Sequence, residues 1–312
     1  MTGLVVVHHL GPAASKLLTG HPAVAEARAL DLDRRWDLPT DVDVIFALHS
    51  ATDPTARRVP RPAGWPGRVC FVQLASSGSD GYPDWLSDGP VVASAAGTSA
   101  PAIAEFVLTA MLMVAKRLPA MVVTDRVWTP QADIVARPLG TLAGATLGLL
   151  GIGEIGSRIA TLASAFGMEV IAHRRSQAPV AGVMLVGFDE LLQRADHLVV
   201  AAPLTPDTAG LLGTAAFAKI KPGVHLVNVA RGGIVDTAAL IAALDAGQVG
   251  FASLDVTDPE PLPPGHPLWS APNVRITPHI AWSSPRTGQR IFALFADNLA
   301  RFARGERLIN QL

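Results

Sequence analysis

The chain has 312 residues, of which 49% are apolar and 16% charged, with a formal charge of −1. The length exceeds one ordinary domain, so two domains are expected, and the apolar share excludes a disordered chain. The 25 basic and 26 acidic residues give no global field for nucleic acid or an anionic membrane, and a single cysteine, Cys70, excludes an intramolecular disulfide and a multi-cysteine metal cage.

Residues 1–10 carry no basic stretch, and His8 and His9 interrupt the apolar run, so no signal peptide is expected. No window of about 18 residues is free of polar breaks, which points away from a membrane span. A cytoplasmic protein is the expectation. Residues 4–7, 42–48, 69–74 and 90–93 read as strands, short and rich in Val, Ile and Phe. Their near-continuous apolar character predicts a parallel sheet covered on both faces. A long helix is predicted from Ser99, a candidate N-cap, with Pro101 in its first turn and an apolar stripe through Ile103, Phe106, Val107, Ala110, Met111 and Val114. Residues 118–140 are irregular and should protrude.

From residue 145 the pattern becomes strand (145–150), turn (151–156), helix (157–166) and strand (168–172). Strands follow at 198–201, 225–229, 250–255 and 274–276, with a helix at 237–246. This is a doubly wound α/β pattern. A final helix over 285–304 carries Ile291, Phe295, Leu299 and Phe302 on one face, which must be buried.

Gly151-Ile-Gly153-Glu-Ile-Gly156 fits G-x-G-x-x-G in the context that gives the motif meaning: after a strand and opening a helix. Gly151 allows the tight turn, Gly153 lets backbone approach a pyrophosphate, and Gly156 lets helix and strand pack closely. The next strand ends in His173-Arg174-Arg175-Ser176, with no Asp or Glu between Val170 and Gly187. An acidic residue there would bind the ribose 2′-OH of NAD; guanidinium forks suit a 2′-phosphate. NADPH is therefore expected to be preferred over NADH, with NAD as the alternative.

Three polar clusters lie at predicted strand ends: Asn228 to Asp236 with Arg231, Asp255 to Pro263 with Glu260, and Thr277-Pro-His279-Ile-Ala281. In a parallel sheet those ends face the ligand crevice. A cation, a carboxylate and an imidazole together suit carbonyl reduction: the cation polarises the carbonyl, the imidazole supplies a proton, and the carboxylate orients the imidazole and favours its charged form. Each also has a plain structural alternative, in which Arg231 pairs with Asp236 and Glu260 is a solvated loop residue.

With these blocks in order, residues 69–282 resemble the D-isomer-specific 2-hydroxyacid dehydrogenase family. Val72-Gln-Leu-Ala-Ser-Ser-Gly78-Ser-Asp80, Gly97 to Glu105 and Ala202-Pro-Leu-Thr-Pro-Asp-Thr208 add to the match, whereas residues 1–68 match only as a general α/β pattern. The resemblance implies two doubly wound, Rossmann-like parallel-sheet domains with a cleft between them, closed by a hinge. Residues 1–96 plus 284–312 would form the substrate domain and 97–283 the dinucleotide domain. It implies Arg231, Glu260 and His279 as the catalytic triad. The loop of Ser76, Ser77, Gly78 and Ser79 would bind the substrate carboxylate through backbone N–H groups, with Arg231 also on the substrate.

For the cofactor, the resemblance adds Glu154 and Ile155 at the pyrophosphate, Ala202, Pro203 and Thr208 beside the adenosine, and Val229 and Ala230 at the nicotinamide ribose. Asp255 would meet the carboxamide, with His279 and Ala281 close by. Arg174 is the main departure from NAD-dependent members and resembles the NADPH-preferring glyoxylate and hydroxypyruvate reductases. A small 2-oxo acid substrate, no metal and a homodimer follow from the same resemblance. D-3-phosphoglycerate dehydrogenase is the runner-up, disfavoured by the absence of basic residues near the carboxylate loop and by the lack of room for a regulatory domain before Leu312. A dinucleotide-sensing corepressor is the alternative of another class. Among remaining residues, adjacent His8 and His9 point to opposite strand faces and make a poor metal pair. His49 could line a cleft or sit on a surface loop, Trp282 could wall a pocket for a small substrate, and Trp128 could pack at a subunit interface.

Overall fold

The computed structural model describes residues 3–10, 12–48, 56–118, 135–176 and 178–312; His49 and Trp128 lie outside them. Backbone contacts divide the chain into two compact units, Met1–Thr98 with Ser284–Leu312, and Ser99–Ser283.

The first unit begins with β1 (Leu4–His8), α1 (Pro12–Thr19), β2 (Val24–Ala29), β3 (Val44–Ala47), β4 (Phe71–Leu74) and β5 (Val91–Ala93). The strands form a parallel sheet in the order β2-β1-β3-β4-β5. Every residue of β3 and β4 is buried, as expected of central strands covered on both faces. β2 is absent from the sequence reading. It is an edge strand of sequence VAEARA, and its Glu26 and Arg28 pair with each other at 2.6 Å. Charged side chains blunt such an edge and hide its periodicity.

The second unit runs through α2 (Ala100–Ala115), β6 (Thr146–Leu150), α3 (Glu154–Ala165), β7 (Glu169–His173), β8 (Met184–Leu185), α4 (Phe188–Arg194) and β9 (His197–Val200). It continues with α5 (Thr214–Phe217), β10 (Val224–Asn228), α6 (Thr237–Asp245), β11 (Val249–Leu254) and β12 (Val274–Ile276). Its seven parallel strands follow the order β12-β11-β10-β9-β6-β7-β8. Strand order reverses between β6 and β9, so the crevice at their carboxyl ends is the topological switch point where such sheets bind ligands. Ser99 stands at the N-cap of α2 but its hydroxyl makes no capping bond. α3 begins at Glu154, three residues before the predicted start, because the second half of the glycine turn is already helical.

The chain ends in the first unit with α7 (Thr287–Ala303). Phe295 and Leu299, fully buried, pack on that unit's sheet against Phe46 and Phe71. A buried polar link sets the helix register: Asn298 donates to Gln73 Oε1 at 2.9 Å and accepts from the Ile309 amide at 2.8 Å. Two Rossmann-like parallel sheets are thus present, and both expected runs of central strands are in place.

In the second unit, His197 and His225 face each other across neighbouring strands at 3.0 Å, and His225 continues to Ser253 Oγ at 2.9 Å. All three side chains are buried. Burial lowers the imidazoles to about 4 for His197 and about 3 for His225, with His197 and Arg275 also opposing charge on His225. A folded-state value below the unfolded one means that the unfolded chain binds protons first. The stability carried by the neutral pair is complete above about pH 6.5 and declines as the pH falls toward 4. The urea midpoint should therefore drop steadily between pH 7 and pH 4.5, and a midpoint flat over that range would show that the pair accepts protons in the folded protein.

Candidate active site

The glycine turn joins β6 to α3 at the switch point. Gly151 has φ +93°, and a Cβ there would come within 2.6 Å of the Ala202 backbone, which follows β9. A Cβ at Gly156 would come within 2.7 Å of the Gly151 carbonyl oxygen. These two glycines are needed by the protein's own packing. At Gly153 a Cβ would meet nothing within 4 Å, so the space kept open there is not filled by protein. Among the described residues, the N–H groups of Glu154, Ile155 and Gly156 donate to no protein acceptor, as befits a first helical turn. An open cradle facing a helix N-terminus fits a dinucleotide pyrophosphate.

Past β7, the His173 ring bonds the Val186 carbonyl through Nδ1 at 3.1 Å and packs on Phe188. Arg174 is half-buried and Arg175 exposed, and among the described residues no carboxylate pairs with either. The Ser176 hydroxyl accepts from the Ala178 amide at 3.3 Å. After β9, the Thr208 hydroxyl donates to the Pro203 carbonyl at 2.7 Å and accepts from the Thr205 amide at 2.8 Å, shaping the loop that starts at Ala202. Val229 is buried, while Ala230 is half-buried beside it.

The polar clusters of three successive strand ends are tied together. His279 Nδ1 lies 2.7 Å from Glu260 Oε1, both side chains about one-quarter exposed. A carboxylate only accepts, so Nδ1 carries the hydrogen and donates it, leaving Nε2 as the outer nitrogen. Among the described residues Nε2 has no hydrogen-bond partner. Burial alone would raise the Glu260 carboxyl. The bond from His279, the His279 charge, the Thr257 amide at 3.2 Å and the Arg231 charge outweigh it and hold the group below the usual range. The Arg231 guanidinium is thus near enough to act on Glu260, and it also donates to the Ala230 carbonyl at 2.7 Å. Asn228, buried at the end of β10, accepts from the Ala230 amide and donates to the Arg231 carbonyl, both at 3.0 Å.

His279 itself has φ +53°, a left-handed conformation unusual for a residue other than glycine. Asp255 holds it there. Its carboxylate, only 2% exposed, accepts from the Thr277 hydroxyl at 2.6 Å and from the amides of Ile280 at 2.9 Å and Ala281 at 2.8 Å. The His279 amide donates to the Asp255 carbonyl at 2.9 Å, and the Trp282 indole donates to the His279 carbonyl at 2.8 Å. Asp255 and Trp282 are therefore supports of the imidazole loop. Sequence reasoning missed this, since a residue's φ leaves no mark in composition.

Gly232 was also missed. A Cβ on it would lie 2.0 Å from the Thr257 carbonyl carbon and 2.5 Å from the Asp258 nitrogen. The Arg231 loop thus crosses the Glu260 loop backbone against backbone. In the first unit, the Ser76 hydroxyl donates to the Gly78 carbonyl at 2.6 Å. Among the described residues, the N–H groups of Ser77, Gly78 and Ser79 donate to no protein acceptor, while the Ser76 amide acts on the Tyr82 phenol.

Residues 108–281 match the description "D-isomer specific 2-hydroxyacid dehydrogenase, NAD binding domain". The chain belongs to the D-isomer specific 2-hydroxyacid dehydrogenase family. It is 42% identical over 169 residues to a glyoxylate reductase of Aeropyrum pernix, a stretch covering 53% of this chain and 50% of the relative. It is 37% identical over 223 residues to a D-3-phosphoglycerate dehydrogenase of Archaeoglobus fulgidus, covering 70% and 42%. The chain thus spans half or less of the length of these relatives. Among solved structures, a D-isomer specific 2-hydroxyacid dehydrogenase of Xanthobacter autotrophicus Py2, in complex with NADPH and MES, is 28% identical with a TM-score of 0.79, covering 100% of this chain and 98% of that one. No helix of the described residues is long and apolar enough to cross a membrane, and no group of three or more His, Cys, Asp or Glu among them could hold a metal ion.

The crossing at Gly232 sets a graded expectation. Gly232→Ala forces backbone apart and should cost at least about 1–3 kcal/mol, the usual range for overpacking. Gly233→Ala should cost well under that, because its Cβ would meet only side-chain atoms of Asp258 and Leu204, at 3.4 Å. Urea unfolding of the two variants reads the difference; equal losses would contradict the crossing.

Proposed function

We propose that the protein reduces a small 2-oxo acid, glyoxylate or hydroxypyruvate, to the D-2-hydroxy acid with NADPH as the preferred reductant. The observation that carries this reading is the Glu260–His279 hydrogen bond at 2.7 Å, with the Arg231 charge acting on the same carboxylate. When bound, the reduced nicotinamide supplies a hydride to the carbonyl carbon. The chain's own residues do the rest. Arg231 holds the 2-oxo acid and draws electron density toward the carbonyl oxygen. His279 gives that oxygen its proton from Nε2. Glu260 keeps the Nδ1 hydrogen in place and stabilises the charged imidazole that must be reloaded from solvent. Ser76, Ser77, Gly78 and Ser79 bind the substrate carboxylate through their N–H groups, a role supported by the lack of other acceptors for those of Ser77, Gly78 and Ser79 among the described residues.

The NADPH preference rests on Arg174 and Arg175, which face no carboxylate among the described residues, and on the absence of an acidic residue from Ile171 to Val186. A charged hydrogen bond contributes roughly 1.5–3 kcal/mol, which corresponds to a preference of about ten-fold to over a hundred-fold. The glycine cradle, Ala202, Pro203, Val229, Ala230 and Ala281 complete the cofactor site in this reading. D-3-phosphoglycerate dehydrogenase is a weaker reading, because residues 69–82 contain no Lys and no Arg to meet a substrate phosphate.

The deciding experiment is the initial rate of absorbance loss at the nicotinamide band with glyoxylate, in parallel with NADPH and NADH. Fast loss with NADPH and slow loss with NADH is expected. No loss with any 2-oxo acid, combined with tight cofactor binding, would favour a dinucleotide sensor. His279→Ala and Arg231→Ala should each lower kcat by at least about 100-fold, the usual scale for a lost acid–base group, while cofactor still binds by fluorescence titration. Turnover retained in both would overturn the mechanism. Arg174→Ala should weaken NADPH about ten-fold or more and leave NADH unchanged; equal loss for both would remove the 2′-phosphate role.

A further inference from the structure

We infer that Tyr82 is a positioning residue that fixes the carboxylate-binding loop of Ser76, Ser77, Gly78 and Ser79, and through it the affinity for the 2-oxo acid. The inference rests on the proposed role of that loop. Tyr82 is the only tyrosine in the chain, and its side chain is 2% exposed. The phenol lies where three stretches of backbone meet. It donates to the Ala47 carbonyl at the end of β3, at 3.2 Å. It also accepts at 3.2 Å from the Ala75 amide just past β4, whose shorter bond, at 2.9 Å, is to the same Ala47 carbonyl, and it stands 3.1 Å from the Ser76 hydroxyl. Ser76 has one hydroxyl proton, which serves either the Gly78 carbonyl at 2.6 Å or the phenol.

The phenol therefore reaches the loop at its first residue and, through Ser76, at its third. The Tyr82 amide closes the far side by donating to the Ser79 carbonyl at 3.2 Å. The Ser76 carbonyl is held in turn by the Ala95 amide at 2.8 Å. Among the described residues the N–H groups of Ser77, Gly78 and Ser79 have no protein acceptor, so a loop that presents them is held by anchors at its other groups. Tyr82 supplies the buried one. Burial pushes its ionisation up to about 12, against bonds from Ser76 and Ala75 that favour the anion, so the phenol stays neutral and keeps its donor proton.

Tyr82→Phe removes one oxygen and leaves the ring packing intact. Two measurements on the full-length protein test the inference separately from the function it rests on. Hydrogen exchange at the Ala95 and Tyr82 amides, which donate to the loop carbonyls of Ser76 and Ser79, should quicken by ten-fold or more in Tyr82→Phe while amides of β10 and β11 stay unchanged. With glyoxylate and NADPH, KM for glyoxylate should rise about ten-fold, with KM for NADPH unaltered and kcat lowered far less. Exchange equal to that of the unsubstituted protein would overturn the anchoring. Quickened exchange with an unchanged glyoxylate KM would overturn the link to substrate. An unsubstituted protein that reduces no 2-oxo acid would instead remove the underlying reading, and with it the role in substrate affinity.

Discussion

The candidate site depends on one buried carboxylate. Asp255, at the end of β11, gathers the Thr277 hydroxyl and the Ile280 and Ala281 amides, and so obliges His279 between them to adopt a left-handed backbone. A buried charge is tolerated only when its oxygens are fully bonded, and here three donors of a single short segment meet that demand. These three hydrogen bonds offset both the cost of the His279 conformation and the cost of burying Asp255. Neither would persist alone. Because the segment leaves β12 in a fixed direction, the imidazole arrives with Nδ1 on Glu260 and Nε2 turned outward.

Around this core the second unit distributes the work among strand ends. β10 delivers Arg231, with Asn228 fixing the backbone on both sides of it. β11 delivers Asp255 directly and Glu260 by way of a proline-rich loop whose Thr257 amide is bonded to Glu260. β6 and β9 deliver the glycine turn and the Ala202 backbone that touch at the switch point. The parallel order of the sheet is what puts all of these at the same end, so topology, more than any single contact, assembles the constellation.

Much of this was legible in the sequence. Continuous apolar strands gave the second sheet, and the strand-end polar clusters made Arg231, Glu260 and His279 candidates beside plain structural alternatives, while their grouping as a triad came from the family resemblance. The Gly151, Gly153 and Gly156 turn was legible from its place after a strand and at the opening of a helix. Other features left no signal. β2 alternates small and charged residues and reads as neither strand nor helix until the edge of the sheet gives it a partner. The bonds that Asp255 and Thr208 make to neighbouring loop groups are likewise not recorded in sequence spacing. Tyr82 could have been flagged only by its singularity and its nearness to the Ser76 loop.

The contact at Gly232 has a consequence for how such a site changes over evolutionary time. Two loops that touch through backbone atoms keep their spacing whatever side chains surround them. The exposed side chains of this unit such as Leu204 and Ile280 are then free to drift in size and polarity without disturbing the distance between the guanidinium and the carboxylate. Selection for a new ligand shape and selection for the reaction itself act on separate sets of positions, so a lineage could explore one without forfeiting the other.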